Sequence, residues 1–337
     1  MSLPSLPPLP SPRIKTRQLA LLAHLDRERS VLHAAQAVGM SQPAASKLLR
    51  ELEESLGISL FERHARGVEP TAYGEILVRH AHSALSDIRR GLEEIDALKQ
   101  GRVYRISIGT VMSPGTDLVP MAVTLLAQRY PQLIVSVEMD YSRTIVAKLL
   151  DGRLDIAIGR ILDPGDAADL QFEALAEEPH SLIARSQHPL TQQRQLSVDD
   201  LVKHTWILPP PGSILRERLN AMFLQRGLSL PERIVETSSL PMITNLLRRS
   251  DMLVALPEEV VRPYCDSAML SVLPIDLGVR MDSFGIITRR GDSLARGATQ
   301  ALAALREAAT AVYGAPAAAA RAPRWSRPAA RLNRQET

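Results

Sequence analysis

The sequence predicts an α/β protein: a winged helix-turn-helix first, then one long connecting helix, then an α/β half containing two successive strand–helix sets. Three observations carry this. Ser30 to Thr71 reads as two short helices around a tight turn, followed by a basic hairpin. Glu75 to Lys99 keeps a helical apolar period with no proline and with Gly91 as its one interior glycine. After Gly101 the pattern changes to short buried-strand runs alternating with helical segments.

In chain order, residues 1–12 are proline-rich and are expected to be disordered. Leu19, Leu22 and Leu25 mark a first helix that packs behind the next two. Ala34, Ala35 and Val38 form a small-residue side that lets a second helix cross closely. Gly39 ends that helix. The following one opens at Ser41, a favourable N-cap, with Pro43 tolerated in its first turn. Ala45, Leu49, Leu52 and Leu56 form one apolar stripe, and the opposite face presents Gln42, Ser46, Lys47 and Arg50. Such a face is most often plain solvated surface. Here, however, its first turns are uncharged or basic, the acids Glu51, Glu53 and Glu54 come later, and Arg63, His64 and Arg66 follow on a glycine-containing hairpin. Glutamine and serine suit base edges, while lysine and arginine suit phosphates or guanine. The pattern therefore predicts a helix that enters the major groove of duplex DNA, with the wing on the adjacent backbone.

Between Glu75 and Lys99, residues Ala81, Leu85, Ile88, Leu92 and Ile95 alternate spacings of four and three, a short heptad seam that predicts self-association. Paired copies would hold two reading helices at a fixed separation, as an inverted-repeat operator requires. His80 and His82 are two apart, on different sides of the helix, and do not make a metal pair. Strands are predicted at Arg105–Gly109, Leu133–Met139 and Asp155–Gly159, with helices at Leu118–Tyr130 and Ile145–Leu150 between them, which indicates a mostly parallel sheet. A second set follows, with strands at Phe172–Ala176, Ser181–Ala184, Trp206–Leu208, Ile234–Glu236 and Met252–Leu256. Its helices are Ser213–Gln225 and Met242–Arg248. Strands Ser271–Ile275 and Phe284–Thr288 precede a last helix from Leu294 to Val312, and the Ala- and Pro-rich residues 314–337 are expected to be a disordered basic tail.

The run from Ser41 to Glu75, SQPAASKLLRELEESLGISLFERHARGVEPTAYGE, resembles the winged helix-turn-helix of the LysR-type transcriptional regulators. The likeness spans the reading helix, Leu60-Phe61-Glu62-Arg63 of the wing, Pro70-Thr71 and Tyr73-Gly74. In that pattern an aromatic residue is common at Leu22 and a glycine at Arg29. Landmarks such as Leu150-Asp151-Gly152-Arg153-Leu154-Asp155 and His188-Pro189-Leu190 resemble the family's effector half, two α/β lobes related to periplasmic binding proteins. The resemblance implies a DNA-binding domain at 13–74, a linker and dimerisation helix at 75–100 and an effector domain at 101–313. Lobe I would take 101–160 and 266–313, and lobe II 161–265. It also implies DNA contacts at Ser41, Gln42, Pro43, Ser46, Lys47, Arg50, Arg63 and Arg66, with double-stranded DNA bearing an interrupted inverted repeat as partner. It further implies a homodimer or homotetramer, RNA polymerase as a partner if the output is activation, and no cofactor, membrane or enzymatic activity.

Ligands of open α/β sheets gather beyond the carboxyl ends of strands, where helix N-termini offer amides. Thr110, Ser113, Ser142, Thr144, Ser213, Ser238 and Ser239 lie at such points, and Arg160 ends the third strand. The family places inducer contacts at the loops holding Ser113, Ser142 and Ser213. The competing explanation is that these hydroxyls cap helices, and that Arg160 pairs with a neighbouring carboxylate. Within the family, HARGVEPTAYGE and GTVMSPGTDLVP look most like regulators of sugar uptake or aromatic-acid catabolism, so the expected inducer is a sugar or an aromatic acid.

Composition bounds the alternatives. The chain has 337 residues, 45% hydrophobic and 23% charged, enough for two or three ordinary globular domains. One cysteine, Cys265, excludes an internal disulfide and fits a cytoplasmic protein. The proline-rich start fits no signal peptide, which argues against a transport binding protein. The net charge of +3 is misleading, because residues 314–337 hold Arg321, Arg324, Arg327, Arg331 and Arg334 against Glu336. The informative charge is local: Arg13 to Val68 contains nine Lys/Arg and six Asp/Glu. Gly291-Asp292-Ser293-Leu294 matches a serine-hydrolase signature, but it lies beside the last helix and no histidine follows His204. Ser293 is read instead as that helix's N-cap.

Overall fold

The computed structural model describes residues 14–64, 67–99, 105–193, 195–290 and 296–314. They fall into two compact units, one running to Arg105 with Ala147–Asp155 added, the other formed by Ile106–Val146 with Ile156 onward. The expectations for residues 1–12, Arg66, the tail beyond Gly314, and the cap at Ser293 lie outside the described residues.

In the first unit, α1 (Thr16–Glu28), α2 (Val31–Ala37) and α3 (Gln42–Leu56) precede a hairpin of β1 (Phe61–His64) and β2 (Gly67–Pro70), and α4 (Ala72–Lys99) follows. Leu21, Leu22, Leu25, Ala34, Ala35, Ala45, Leu49 and Leu52 form the core with Leu60, Phe61, Val68 and Val78. The stripe expected on α3 is thus the face that packs. Leu22 takes the place of the common aromatic as a buried anchor. Gly57 closes α3 at φ 69°, in the left-handed region open to glycine. Ser41 stands at the N-cap but makes no side-chain capping bond, so its expected capping role is corrected.

In the second unit the chain runs β3 (Arg105–Thr110), α5 (Met112–Thr116), α6 (Leu118–Arg129), β4 (Ile134–Met139), α7 (Ser142–Leu150), β5 (Ile156–Gly159), β6 (Leu170–Ala176) and β7 (His180–Arg185). It continues through α8 (Val198–Val202), β8 (Trp206–Leu208), α9 (Ile214–Gln225), β9 (Ile234–Glu236), α10 (Leu240–Arg249) and β10 (Leu253–Pro257). Then come α11 (Glu258–Asp266), β11 (Leu270–Val272), β12 (Phe284–Arg289) and α12 (Arg296–Tyr313). One sheet has the order β4-β3-β5-β12-β6 and the other β11-β7-β10-β8-β9. Ile106, Ile108, Ile156, Ile158 and Phe284 pack against Leu118, Leu126, Ala301 and Leu305 around the first sheet. Around the second, Trp206 meets Phe223 edge-on with ring centroids 5.3 Å apart.

Two expectations are corrected. The sheets are mixed, not mostly parallel: β3 and β5 are parallel, but β12 runs antiparallel to β5 and β6, and β7 antiparallel to β10 and β11. The lobe limits also move. β6, expected in lobe II, pairs with β12 in the first sheet, and β11, expected in lobe I, pairs with β7 in the second. The chain therefore leaves the first sheet after Ala176 and returns to it at Phe284.

Candidate DNA-binding face and effector cleft

On α3, Gln42, Pro43, Lys47 and Arg50 are exposed and Ser46 is half-buried. Arg63 of β1 donates through Nη2 to Ser46 Oγ at 3.5 Å, so helix and wing form one continuous surface. Two of the helix's acids are engaged by neighbours. Glu53 turns to the base of the wing, where its Oε1 accepts from the Leu60 and Phe61 amides at 2.7 and 3.2 Å. Glu51 lies 3.9 Å from Lys47 Nζ, an exposed pair one turn apart that holds little energy. Thr71 ties down the other side, donating to Ser59 O at 2.8 Å and accepting from the Gly74 amide at 3.1 Å. A side chain at Gly74 would collide with the Leu60 carbonyl, which is why α4 can begin so close under the wing. The surface can accept and donate hydrogen bonds along a groove and offers cations beside it.

The second unit contains a cavity of about 270 Å³ between its two sheets. Its walls come from the ends of β4 and β5, the start of α7, β7, β10, and the loops before α9 and α10. Ser142, Arg160, Ser213 and Ser238 line it. Ser142 is buried and its Oγ accepts from the Arg160 amide at 3.1 Å. Ser213 is buried at the N-cap of α9 without a side-chain capping bond, so capping does not explain it. Arg160 is 5% exposed and its side chain is fully engaged on one edge: Nη2 lies 2.7 Å from Glu178 Oε2, and Nε donates to Asp282 O at 2.5 Å.

Thr110, Ser113, Thr144 and Ser239, also expected to hold the ligand, are not among the residues that line this cavity. Thr110 is fully buried and donates to Val111 O at 3.0 Å. Ser113 is also fully buried and donates to Glu259 Oε2 at 2.7 Å, although Val111 and Met112 of the same loop do reach the cavity. Thr144 shares the first turn of α7 with Ser142 and Arg143 but is half-buried away from the lining, and Ser239 is exposed at the start of α10, again without a side-chain capping bond.

Residues 16–75 match the model of the bacterial regulatory helix-turn-helix protein, lysR family, and residues 99–310 match the LysR substrate binding domain. This chain belongs to the LysR family. It is similar to the HTH-type transcriptional regulator GbpR of Azospirillum brasilense, 37% identical over 297 residues, covering 88% of this chain and 87% of that one. It is 30% identical to PcaQ of Agrobacterium fabrum over 303 residues, covering 88% and 96%. Among solved structures, ArgP from Mycobacterium tuberculosis superposes with a TM-score of 0.64 at 17% identity, over 89% of this chain and 99% of that one. LysG from Corynebacterium glutamicum, solved with its effector Arg bound, gives 0.59 at 19%, over 88% and 99%. These likenesses show the same fold.

The protein is thus a LysR-type transcriptional regulator, with a DNA-binding helix-turn-helix and an effector-binding domain, in a family of regulators and not of enzymes. Its cleft also holds residues that sequence reasoning missed. Tyr141 lines the cavity, and its hydroxyl is buried without a hydrogen-bond partner among the described residues. Glu178 and His180 face Arg160 from the connection into β7. Burial holds the His180 imidazolium below its usual value, opposed by the Glu178 carboxylate 4.0 Å away, so the ring is neutral near pH 7. Tyr141, next to Ser142 at the end of a strand, was the one with a sequence signal.

Proposed function

We propose that this LysR-type regulator reads an interrupted inverted repeat as a homodimer or homotetramer in the cytoplasm. In this reading Gln42, Pro43, Ser46, Lys47 and Arg50 lie in or at the major groove, Ser41 at the mouth of α3, and Arg63 and Arg66 on the neighbouring phosphates. The observation that carries it is the continuous surface formed by α3 and Arg63 through Ser46. Pairing of copies is supported by Ile88, Leu92 and Ile95, large apolar residues left exposed at heptad spacing on α4. RNA polymerase is a further partner if the output is activation.

The effector is a small molecule, a sugar or an aromatic acid, held in the cleft by Ser142, Ser213 and Tyr141. It controls the output by binding one arrangement of the two lobes more tightly than the other. A gel-shift titration against operator and scrambled duplex tests the DNA half. Ser46→Ala is expected to lower discrimination between the two. Arg66→Ala is expected to weaken both alike and to reduce the salt slope by about 1. Equal losses from the two substitutions would refute the assignment.

A further inference from the structure

The effector cleft is electrically closed. Its charged lining consists of Arg143, Arg160, Asp140 and Glu178, two of each sign, and His180 is neutral beside them. Arg143 is exposed, and Asp140 is a half-buried neighbour of it in the same turn. The deep cation is Arg160. It is the residue that would clamp a carboxylate effector, but Glu178 already occupies it at 2.7 Å, and both side chains are 6% exposed. The clamp is held from outside the cavity as well, by the bond from Nε to Asp282 O and by the Phe284 ring, whose centroid is 5.8 Å from the guanidinium carbon.

An acidic ligand would have two routes in. It could displace Glu178, leaving a buried carboxylate without its partner, or it could sit beside the intact pair and repel Glu178 at low dielectric. Both are strongly unfavourable. An uncharged hydroxylated molecule meets neither penalty. Its hydroxyls can accept from Arg160 Nη1 and donate to Glu178 Oε1, atoms with no partner among the described residues. They can also engage the oxygens of Ser213 and Ser238. Met139, Ile207 and Leu256 supply the apolar wall for its C–H face. A cavity of about 270 Å³ suits one small molecule.

Resting on the cleft as effector site, we infer that the Arg160–Glu178 pair makes this regulator select an uncharged, polyhydroxylated effector and reject its carboxylate counterpart. Glu178 is the specificity-determining residue. The test uses the full-length protein with matched probes: aldopentoses and aldohexoses beside the aldonates of the same skeleton, and hydroxybenzyl alcohols beside the corresponding hydroxybenzoates. Thermal shift and calorimetry would be run on wild type, Glu178→Gln, Ser142→Ala and Ser213→Ala, with circular dichroism confirming each fold.

The expected result is a neutral aldose binding wild type more tightly than its aldonate. In Glu178→Gln, where Arg160 is unpaired, the order reverses, each affinity moving on the order of tenfold. Tighter binding of acids by wild type, or an unchanged order in Glu178→Gln, would overturn the charge inference; if that binding still weakens in Ser142→Ala and Ser213→Ala, the cleft reading survives it. Neutral binding that ignores both serine substitutions would instead overturn the cleft reading. No response to any probe in any variant would overturn the proposed ligand class. The wild-type comparison decides the matter even if Glu178→Gln does not fold.

Discussion

Arg29 follows α1 at φ 50° and ψ 21°, a left-handed conformation in which a side chain costs energy and glycine does not. That is the physical content of the glycine common at this position in the family pattern. Arg29 recovers part of the cost by an ion pair with Asp26 at 3.1 Å, but half its side chain is exposed and the pair is weak. Arg29→Gly is therefore expected to stabilise the helix-turn-helix by about 0.5–1 kcal/mol, measured as a higher midpoint in urea; a lower midpoint would mean that the ion pair outweighs the backbone term. At this scale the DNA-facing residues were readable because α3 is a regular helix, so its polar face follows from its buried one. The cleft residues were much less readable. Arg160 finds Glu178, and Ser113 finds Glu259, across turns and crossovers that no local spacing encodes.

At the scale of elements, α4 is held to the helix-turn-helix by more than its apolar contacts. His82 Nε2 lies 3.8 Å from Asp26 Oδ2 of α1, and the half-buried Asp151 carboxylate and Arg153 act on the same ring. The Asp26 carboxylate raises His82 above its usual 6.5, against burial, while His82 holds Asp26 below its usual 3.8. The signs follow by linkage. The His82 contribution is complete below 6.5 and is lost as pH rises through the raised value; the Asp26 contribution is complete above 3.8 and is lost as pH falls through the lowered one. Burial raises Asp151 and so works against its charged form throughout the neutral range. Calorimetry should therefore show wild type losing about 0.5 kcal/mol more than His82→Gln between pH 6 and pH 8, roughly the worth of a partly exposed pair. Parallel curves would show that the contact is energetically silent. Among elements, α3 was legible through its stripe and β5 through its unbroken apolar run. By contrast α11 escaped notice because Pro263 lies inside it, and α5 because Met112–Thr116 is barely more than one turn.

For the whole molecule, ligand and DNA are linked only if the effector distinguishes two states. DNase footprints on the operator are expected to change in extent or in hypersensitive positions when the aldose that raises the melting temperature is added to saturation; identical patterns would contradict allosteric control. The two-lobed half was legible as alternating strands and helices, but the partition was not. Strand sequence reports burial, whereas sheet membership depends on which distant strand supplies the hydrogen bonds, as with β6 on β12 and β11 on β7. That interleaving has a consequence for synthesis. β12 joins β5 to β6, yet it emerges from the ribosome only after every strand of the other sheet. The earlier partners must wait with open edges while the downstream lobe is made, so the nascent chain is expected to depend on chaperones until its final helices are released. For the same reason no single cut in the gene yields either lobe on its own.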